Sequence, residues 1–142
     1  MRVIGFNFKK LKIERKGKLK GKIEIKSNLE VESVEKDNVE ISSKDALKFT
    51  FKYTLTYEPD FADIELNGFI LALVEKDELK IILKDWKKKK LPEKIRIPLF
   101  NLILDKCNLR ALQLEEEFSL PIHLPLPKLT SQQKPEDTAY TG

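Results

Sequence analysis

Few residues in this chain could carry out catalysis or bind a metal ion. Histidine occurs once, at His123, and cysteine once, at Cys107. A nucleophilic serine, threonine or cysteine needs a base beside it, and His123 lies among prolines with no acidic residue directly next to it. A zinc site needs several cysteine or histidine ligands, which one residue of each type cannot supply. We therefore predict a loop or packing role for His123, no catalytic residues and no metal site.

Acidic residues and glycines give no stronger indication of an active site. Asp60, Asp63 and Glu65 are grouped near one predicted turn, but on a lysine-rich surface such a group is typical of solvated strand ends. The five glycines are scattered along the chain, so no glycine-rich phosphate loop is present. These patterns predict a protein that is not an enzyme and that needs no cofactor.

Composition predicts a single compact domain with a highly charged surface. The chain has 142 residues, of which 41% are hydrophobic and 35% charged, with a net charge of +4. A lone cysteine favours a reducing compartment. Lysines interrupt the first apolar residues before a signal sequence could form, and no apolar run approaches the roughly 20 residues of a membrane span. We expect a cytoplasmic protein with no membrane insertion.

Residues 46–74 carry the clearest strand signal. Apolar and polar residues alternate over 46–57, the residues 58–60 around Pro59 predict a turn, and alternation resumes over 62–74. One face of the second strand is apolar throughout, whereas its other face changes from polar residues to Phe69, Leu71 and Leu73. A strand that is apolar on both faces needs a second cover, so we predict that these three residues form a subunit contact.

The first third of the chain predicts two more strands. Its apolar residues change side near Lys9 and Lys10, which indicates a β-bulge. Gly17 then turns the chain into a second alternating run over 19–31, and this pair reads as a first hairpin. Residues 35–45 are polar and predict a loop. The complete pattern is that of an antiparallel sheet of about four strands.

The second half of the chain is mostly helical. Leu79, Ile82, Leu83 and Trp86 have the spacing of one helical face, and the helix should end in the lysine run 87–90. A second helix is predicted to begin at Pro92, with a kink or a new start at Pro98, and to end in a solvated acidic segment at 115–117. Prolines then predict an extended path over 120–129, and the polar tail 130–142 is expected to be disordered.

Nucleic-acid binding is an alternative function. The predicted first hairpin is rich in lysine, and Phe6, Phe8 and Tyr53 could provide stacking surfaces for single strands. Alternating lysines are also the usual means of keeping an exposed edge strand soluble and unpaired. We therefore expect no nucleic-acid partner, while a module using the basic first hairpin remains the alternative.

Residues 49–129 resemble the SecB-like protein-export chaperones, including their small archaeal relatives. The resemblance rests on long antiparallel strands, a helix that begins at Leu91-Pro92 and carries Pro98, and the extended run LPIHLPLPKL. It implies a single SecB-like α+β domain over 1–129, with helices packed on one face of the sheet. It also implies a holdase that binds unfolded or nascent polypeptides through apolar grooves without ATP, assembled as a dimer or tetramer. The acidic surface that SecB offers to SecA has no match here, so SecA is not an expected partner.

The extended run supplies the groove residues that this resemblance implies. Its leucines and isoleucine alternate, so that one set can pack against the core while neighbouring groups line a groove. An equally good interpretation is that all of these residues simply cover the core. A third possibility is an oligomer that has no client. The sequence does not distinguish export, a toxin–antitoxin system or general folding. The candidate groove residues are Tyr53, Phe118, Leu120, Ile122, Leu124 and Leu126.

Overall fold

The computed structural model describes residues 1–18, 20–37 and 45–131. These residues form one four-stranded antiparallel sheet and two helices, as the sequence predicts for an α+β fold. The strand order across the sheet is β1-β4-β3-β2. The elements are β1 (Arg2–Arg15), β2 (Glu24–Asp37), β3 (Asp45–Glu58), β4 (Ala62–Val74), α1 (Lys76–Trp86) and α2 (Glu93–Glu117).

The hairpin of β3 and β4 occupies the centre of the sheet. Its strands pair from Tyr57 opposite Ala62 to Asp45 opposite Val74, and the predicted turn at Pro59 and Asp60 connects them. Every residue of β4 predicted to face the core is buried, and its neighbours on the other face are half-buried. We call the buried side the inner face and the opposite side the outer face.

The predicted first hairpin is wrong. β1 pairs with β4 and β2 pairs with β3, so that the first two strands lie at opposite edges of the sheet. The connection between them crosses the end of the sheet, where the backbone N–H of Lys16 donates to the carbonyl of Phe61 at 2.7 Å. This order arises because the β3–β4 hairpin takes both central positions. The lysines of β1 and β2 are therefore separated by the width of the sheet.

The predicted bulge in β1 is confirmed. The register shifts between Phe8 and Lys10. Because of this shift, Phe6 and Phe8, which precede it, and Ile13, which follows it, all lie on the inner face. The Phe6 ring stacks on Phe51 with centroids 5.3 Å apart. These phenylalanines pack against the core, so their rings are not the free stacking surfaces that the nucleic-acid alternative requires.

Both helices contribute to one core with the inner face of the sheet. α1 follows the prediction closely, and α2 continues through Pro98 without a new start. Pro98 is exposed near the beginning of α2, and the helix buries a row of side chains that recurs every fourth residue. Such a row is inclined to the helix axis and suits packing across a twisted sheet. The row consists of Ile95, Leu99, Ile103, Cys107, Ala111 and Glu115.

Some predictions lie partly or wholly outside the described residues. Of the predicted loop 35–45, residues 35–37 belong to β2 and Asp45 to β3, while 38–44 are outside the description. Of the predicted tail 130–142, only Thr130 and Ser131 are described. Within the described ranges no helix is long and apolar enough to cross a membrane.

Gly68 should be essential for stability because the sheet leaves no room for a side chain there. A Cβ at this position would lie 2.2 Å from the backbone oxygen of Asn7 and 2.8 Å from the Phe51 ring. We expect Gly68→Ala to lower the free energy of unfolding by about 1 to 3 kcal/mol, the usual cost of overpacking, measured by urea denaturation. Gly5→Ala is the matched control, because its Cβ would meet Leu71 only at 3.8 Å. Equal stability of the two variants would contradict this account.

Candidate functional site

An open cleft of about 790 Å³ lies beside the edge strand β2. On one side it is bounded by the middle of β2, and on the other by the α1–α2 connection and the first turns of α2. We call it the β2 cleft. Its apolar lining consists of Leu29, Val31, Trp86, Leu91 and Phe100.

The position of β2 in the sheet explains why this cleft stays open. Leu29 lies opposite Tyr53 and Val31 opposite Phe51, so both belong to the inner face, yet they are only half-buried. Among the described strands, none pairs with the other side of β2. An edge strand carries a row of backbone N–H and C=O groups that can pair with a further extended segment. The cleft thus combines apolar side chains with an open β-edge.

A tight turn after α1 builds the opposite wall. Lys89 has the left-handed backbone angle φ of 58°, and the N–H of Lys90 donates to the Asp85 carbonyl at 3.2 Å. Trp86, before this turn, and Leu91, after it, both line the cleft. The Lys89 ammonium group lies 4.9 Å from the centre of the Trp86 ring, a cation–π distance. The tryptophan is half-buried, with part of its ring facing the cleft.

The extended run 120–129, which we call the Leu-Pro strip, is attached to the body by a buried polar contact. Glu115, predicted to be solvated, is fully buried. The Tyr57 hydroxyl donates to its Oε2 atom, and His123 Nδ1 lies 2.7 Å from its Oε1 atom. The prediction failed because Tyr57 and His123, which compensate for burial of the carboxylate, are remote from it along the chain.

The other ring nitrogen of His123 completes the network. Its Nε2 lies 3.0 Å from Oδ1 of Asn108, which also accepts from the Tyr53 hydroxyl at 2.8 Å. Burial raises the pKa of Tyr53 and of Tyr57 well above the usual range of a phenol, so both hydroxyls remain hydrogen-bond donors. Both ring nitrogens of His123 have an oxygen atom within hydrogen-bond distance. It links β3, α2 and the strip through side chains alone.

The predicted groove residues fall into two groups. Tyr53 is 1% exposed and Leu120 is 6% exposed, so both belong to the core in this conformation. The others are exposed on the surface, and none of the six lines the β2 cleft. The exposed members are Phe118, Ile122, Leu124 and Leu126.

The predicted subunit contact lies elsewhere, on the outer face of the sheet. Phe69, Leu71 and Leu73 are neighbours there and are half-buried, and no helix of the described chain covers them. The Lys48 ammonium group lies 4.6 Å from the centre of the Phe69 ring. Beyond these residues the outer face becomes charged, with Lys10 bound to Glu65 at 2.9 Å.

Several carboxylates on the surface of the sheet are paired with lysines, and the one cysteine is buried. Lys10 lowers the pKa of Glu65, first by its hydrogen bond and then by its charge, and Lys16 binds Asp63 at 2.6 Å. Burial raises the pKa of the Cys107 thiol to about 12, which leaves it protonated and unreactive at neutral pH. Within residues 1–18, 20–37 and 45–131 there is no group of three or more metal-ligating side chains.

Comparison with known proteins supports the fold. No protein-family profile and no curated protein matches the chain. Among solved structures, the Mycobacterium tuberculosis SecB-like chaperone Rv1957, in complex with a ChAD peptide from the Rv1956 HigA1 antitoxin, matches with a TM-score of 0.55 and 11% sequence identity. The match covers 91% of this chain and 89% of that one. The chain has the SecB-like fold. At this identity the likeness shows the fold alone, without identifying the archaeal branch that the sequence resembles.

The β2 cleft itself was missed by the sequence predictions. Leu29 and Val31 were assigned only to an alternating strand, and Trp86 was assigned to the apolar face of the first helix. One signal was available, because tryptophan is enriched among the residues that contribute most to binding energy. The alternation of apolar and polar residues does not reveal which strand lies at the edge of the sheet, so the position of β2 could not be predicted.

His123→Ala should loosen the strip by leaving Glu115 buried without one of its hydrogen-bond partners. A buried polar group that loses its hydrogen-bond partner typically costs about 1 to 3 kcal/mol, and we expect a loss of stability in that range in urea denaturation. The N–H of Leu120, which donates to the Glu115 carbonyl, should exchange faster in deuterium. Ile122→Ala, an exposed change in the same strip, should alter neither quantity appreciably. Unchanged exchange in His123→Ala would contradict the anchoring role.

Proposed function

We propose that this protein is a holdase that binds apolar segments of unfolded polypeptides in the β2 cleft, without ATP. The observation that carries the proposal is an apolar cleft directly beside an open β-edge, on a SecB-like fold. The peptide seen with the similar M. tuberculosis chaperone is consistent with a polypeptide ligand. We expect the protein to act in the cytoplasm.

Binding would combine backbone pairing with burial of side chains. An extended client segment adds to the open edge of β2, and alternate side chains enter the cleft against Trp86 and Phe100. Burying about 400 Å² of apolar surface would provide on the order of 10 kcal/mol. Ordering each client residue costs roughly 1 to 2 kcal/mol, which removes most of that gain. Binding at one cleft is therefore weak and reversible, as a holdase without an energy source requires.

The Leu-Pro strip provides a second apolar surface for the same client. Phe118, Ile122, Leu124 and Leu126 are exposed there. Leu120 and Tyr53 would join this surface only if the strip left its place on α2. Several weak sites on one long client increase overall avidity without tight capture at any of them.

The half-buried apolar end of the outer face, formed by Phe69, Leu71 and Leu73, would join chains into a dimer or tetramer. We expect Phe69→Asp to reduce the native mass measured by light scattering, because a charged carboxylate would replace an apolar ring in the contact. Thr54→Asp, a half-buried outer-face position away from the apolar end, is the control. An unchanged mass for Phe69→Asp would exclude this surface as the subunit contact.

Suppression of aggregation tests the holdase proposal. The chain should slow light scattering by a reduced, unfolding client protein equally with and without ATP. A Trp86→Ala, Phe100→Ala double variant removes both aromatic side chains from the cleft. The concentration of this protein needed to suppress aggregation should then rise by about tenfold or more, because a bound client buries less apolar area.

Two further variants make this test specific. Ile81→Ser removes an exposed apolar residue of α1 outside the cleft and should leave suppression unchanged. Leu124→Ser with Leu126→Ser should reduce it less than the cleft variant does. Absence of suppression by the unaltered chain, or equal loss in the Ile81 variant, would refute binding in the cleft.

A further inference from the structure

The β2 cleft has an uneven distribution of charge. Besides its apolar residues, it is lined by three cationic and two anionic residues. The cations all come from the α1–α2 connection and the start of α2, and the anions both come from β2. The charged lining residues are Lys89, Lys90, Arg96, Glu30 and Glu32.

The two glutamates direct their carboxylates toward the outer face. Glu30 lies opposite Lys52 in the register, a position on the outer face. Glu32 lies at the bulge in β2, and its Oε1 atom accepts from Asn67, another outer-face residue, at 3.3 Å. Directly opposite residues of an antiparallel pair share a face. The wall that faces a bound segment from the helix side is therefore cationic.

The cations of this wall are not neutralised within the described chain. Lys89 lies on the Trp86 ring, and neither it, Lys90 nor Arg96 has a carboxylate within salt-bridge distance among the described residues. Of the lysines on the sheet, Lys10 and Lys26 do bind nearby glutamates. An uncompensated cationic wall beside an apolar cleft complements a segment that carries both apolar and acidic groups.

We propose that the β2 cleft selects extended apolar segments flanked by aspartate or glutamate. This inference rests on the proposed holdase function and adds the chemical class of its clients. The apolar residues occupy the cleft against Trp86 and Phe100, and the flanking carboxylates reach Lys90 and Arg96. Exposed ion pairs are individually weak, so a few of them together amount to a preference of about tenfold, not to absolute selectivity.

Fluorescent peptides provide the test. Three peptides share one apolar core and carry glutamate, glutamine or lysine on both sides, and their affinities are measured by fluorescence anisotropy. The glutamate peptide should bind about tenfold more tightly than the glutamine peptide, and the lysine peptide most weakly. The difference should shrink in 0.5 M salt, because exposed charges are screened over a few ångströms there.

Charge reversal assigns the preference to the cleft. In a Lys90→Glu, Arg96→Glu double variant, the glutamate peptide should lose its advantage while the glutamine peptide binds as before. Lys18→Glu with Lys20→Glu, the same charge change in the exposed β1–β2 connection, should leave the order intact. Since all four sites are exposed, both variants should fold.

The other possible outcomes distinguish failure of the charge preference from failure of the proposed holdase function. Equal binding of all three peptides, still lost in the Trp86→Ala, Phe100→Ala variant, would overturn the charge preference and leave the holdase proposal standing. Failure of every peptide to bind would refute both. A single-stranded oligonucleotide that displaced the glutamate peptide and was itself lost on reversal of Lys90 and Arg96 would overturn the inference in favour of a nucleic-acid ligand.

Discussion

The apolar inner face of the β3–β4 hairpin is the constraint on which the rest of the structure depends. Alternate residues along both central strands are fully buried, so the hairpin is stable only where that whole face is covered. α2 covers it with side chains that recur every fourth residue, and the outer strands extend it on each side. Because the hairpin takes the centre, β1 and β2 become the two edges. The open β-edge and the cleft beside it are consequences of this arrangement.

Local features of the fold could be predicted because their causes lie within a few residues. Alternation assigned the inner face of β4, and the change of side at Lys9 and Lys10 located a bulge that the register confirms. Strand order could not be predicted in the same way. A period of two residues determines which face a side chain occupies, but not which strand is its neighbour. The hairpin of β1 and β2 was therefore wrong, and the cleft between residues 29–31 and 86–100 was not foreseen.

The same limit explains the error at Glu115. A run of acidic residues at a helix end normally faces water, but Tyr57 comes from β3 and His123 from the strip, and neither relationship is encoded locally. Together they hold a polar side chain in the core, where an apolar residue would pack at less cost. A polar network has one arrangement of partners, whereas leucines can pack in many. This specificity places the strip in one position on α2, with Ile122 and Leu124 directed outward.

The separation of the apolar surfaces bears on how assembly and client binding would coexist. The apolar end of the outer face lies on the side of the sheet opposite to the helices, while the β2 cleft opens at the edge and toward α2. Contact between chains through the outer face would therefore leave the clefts free, and it would bring several of them within reach of one long client. With the weak binding proposed for each cleft, the length of accessible apolar sequence, more than any single segment, would decide which chains are held. A compact native protein exposes little such sequence and would be released.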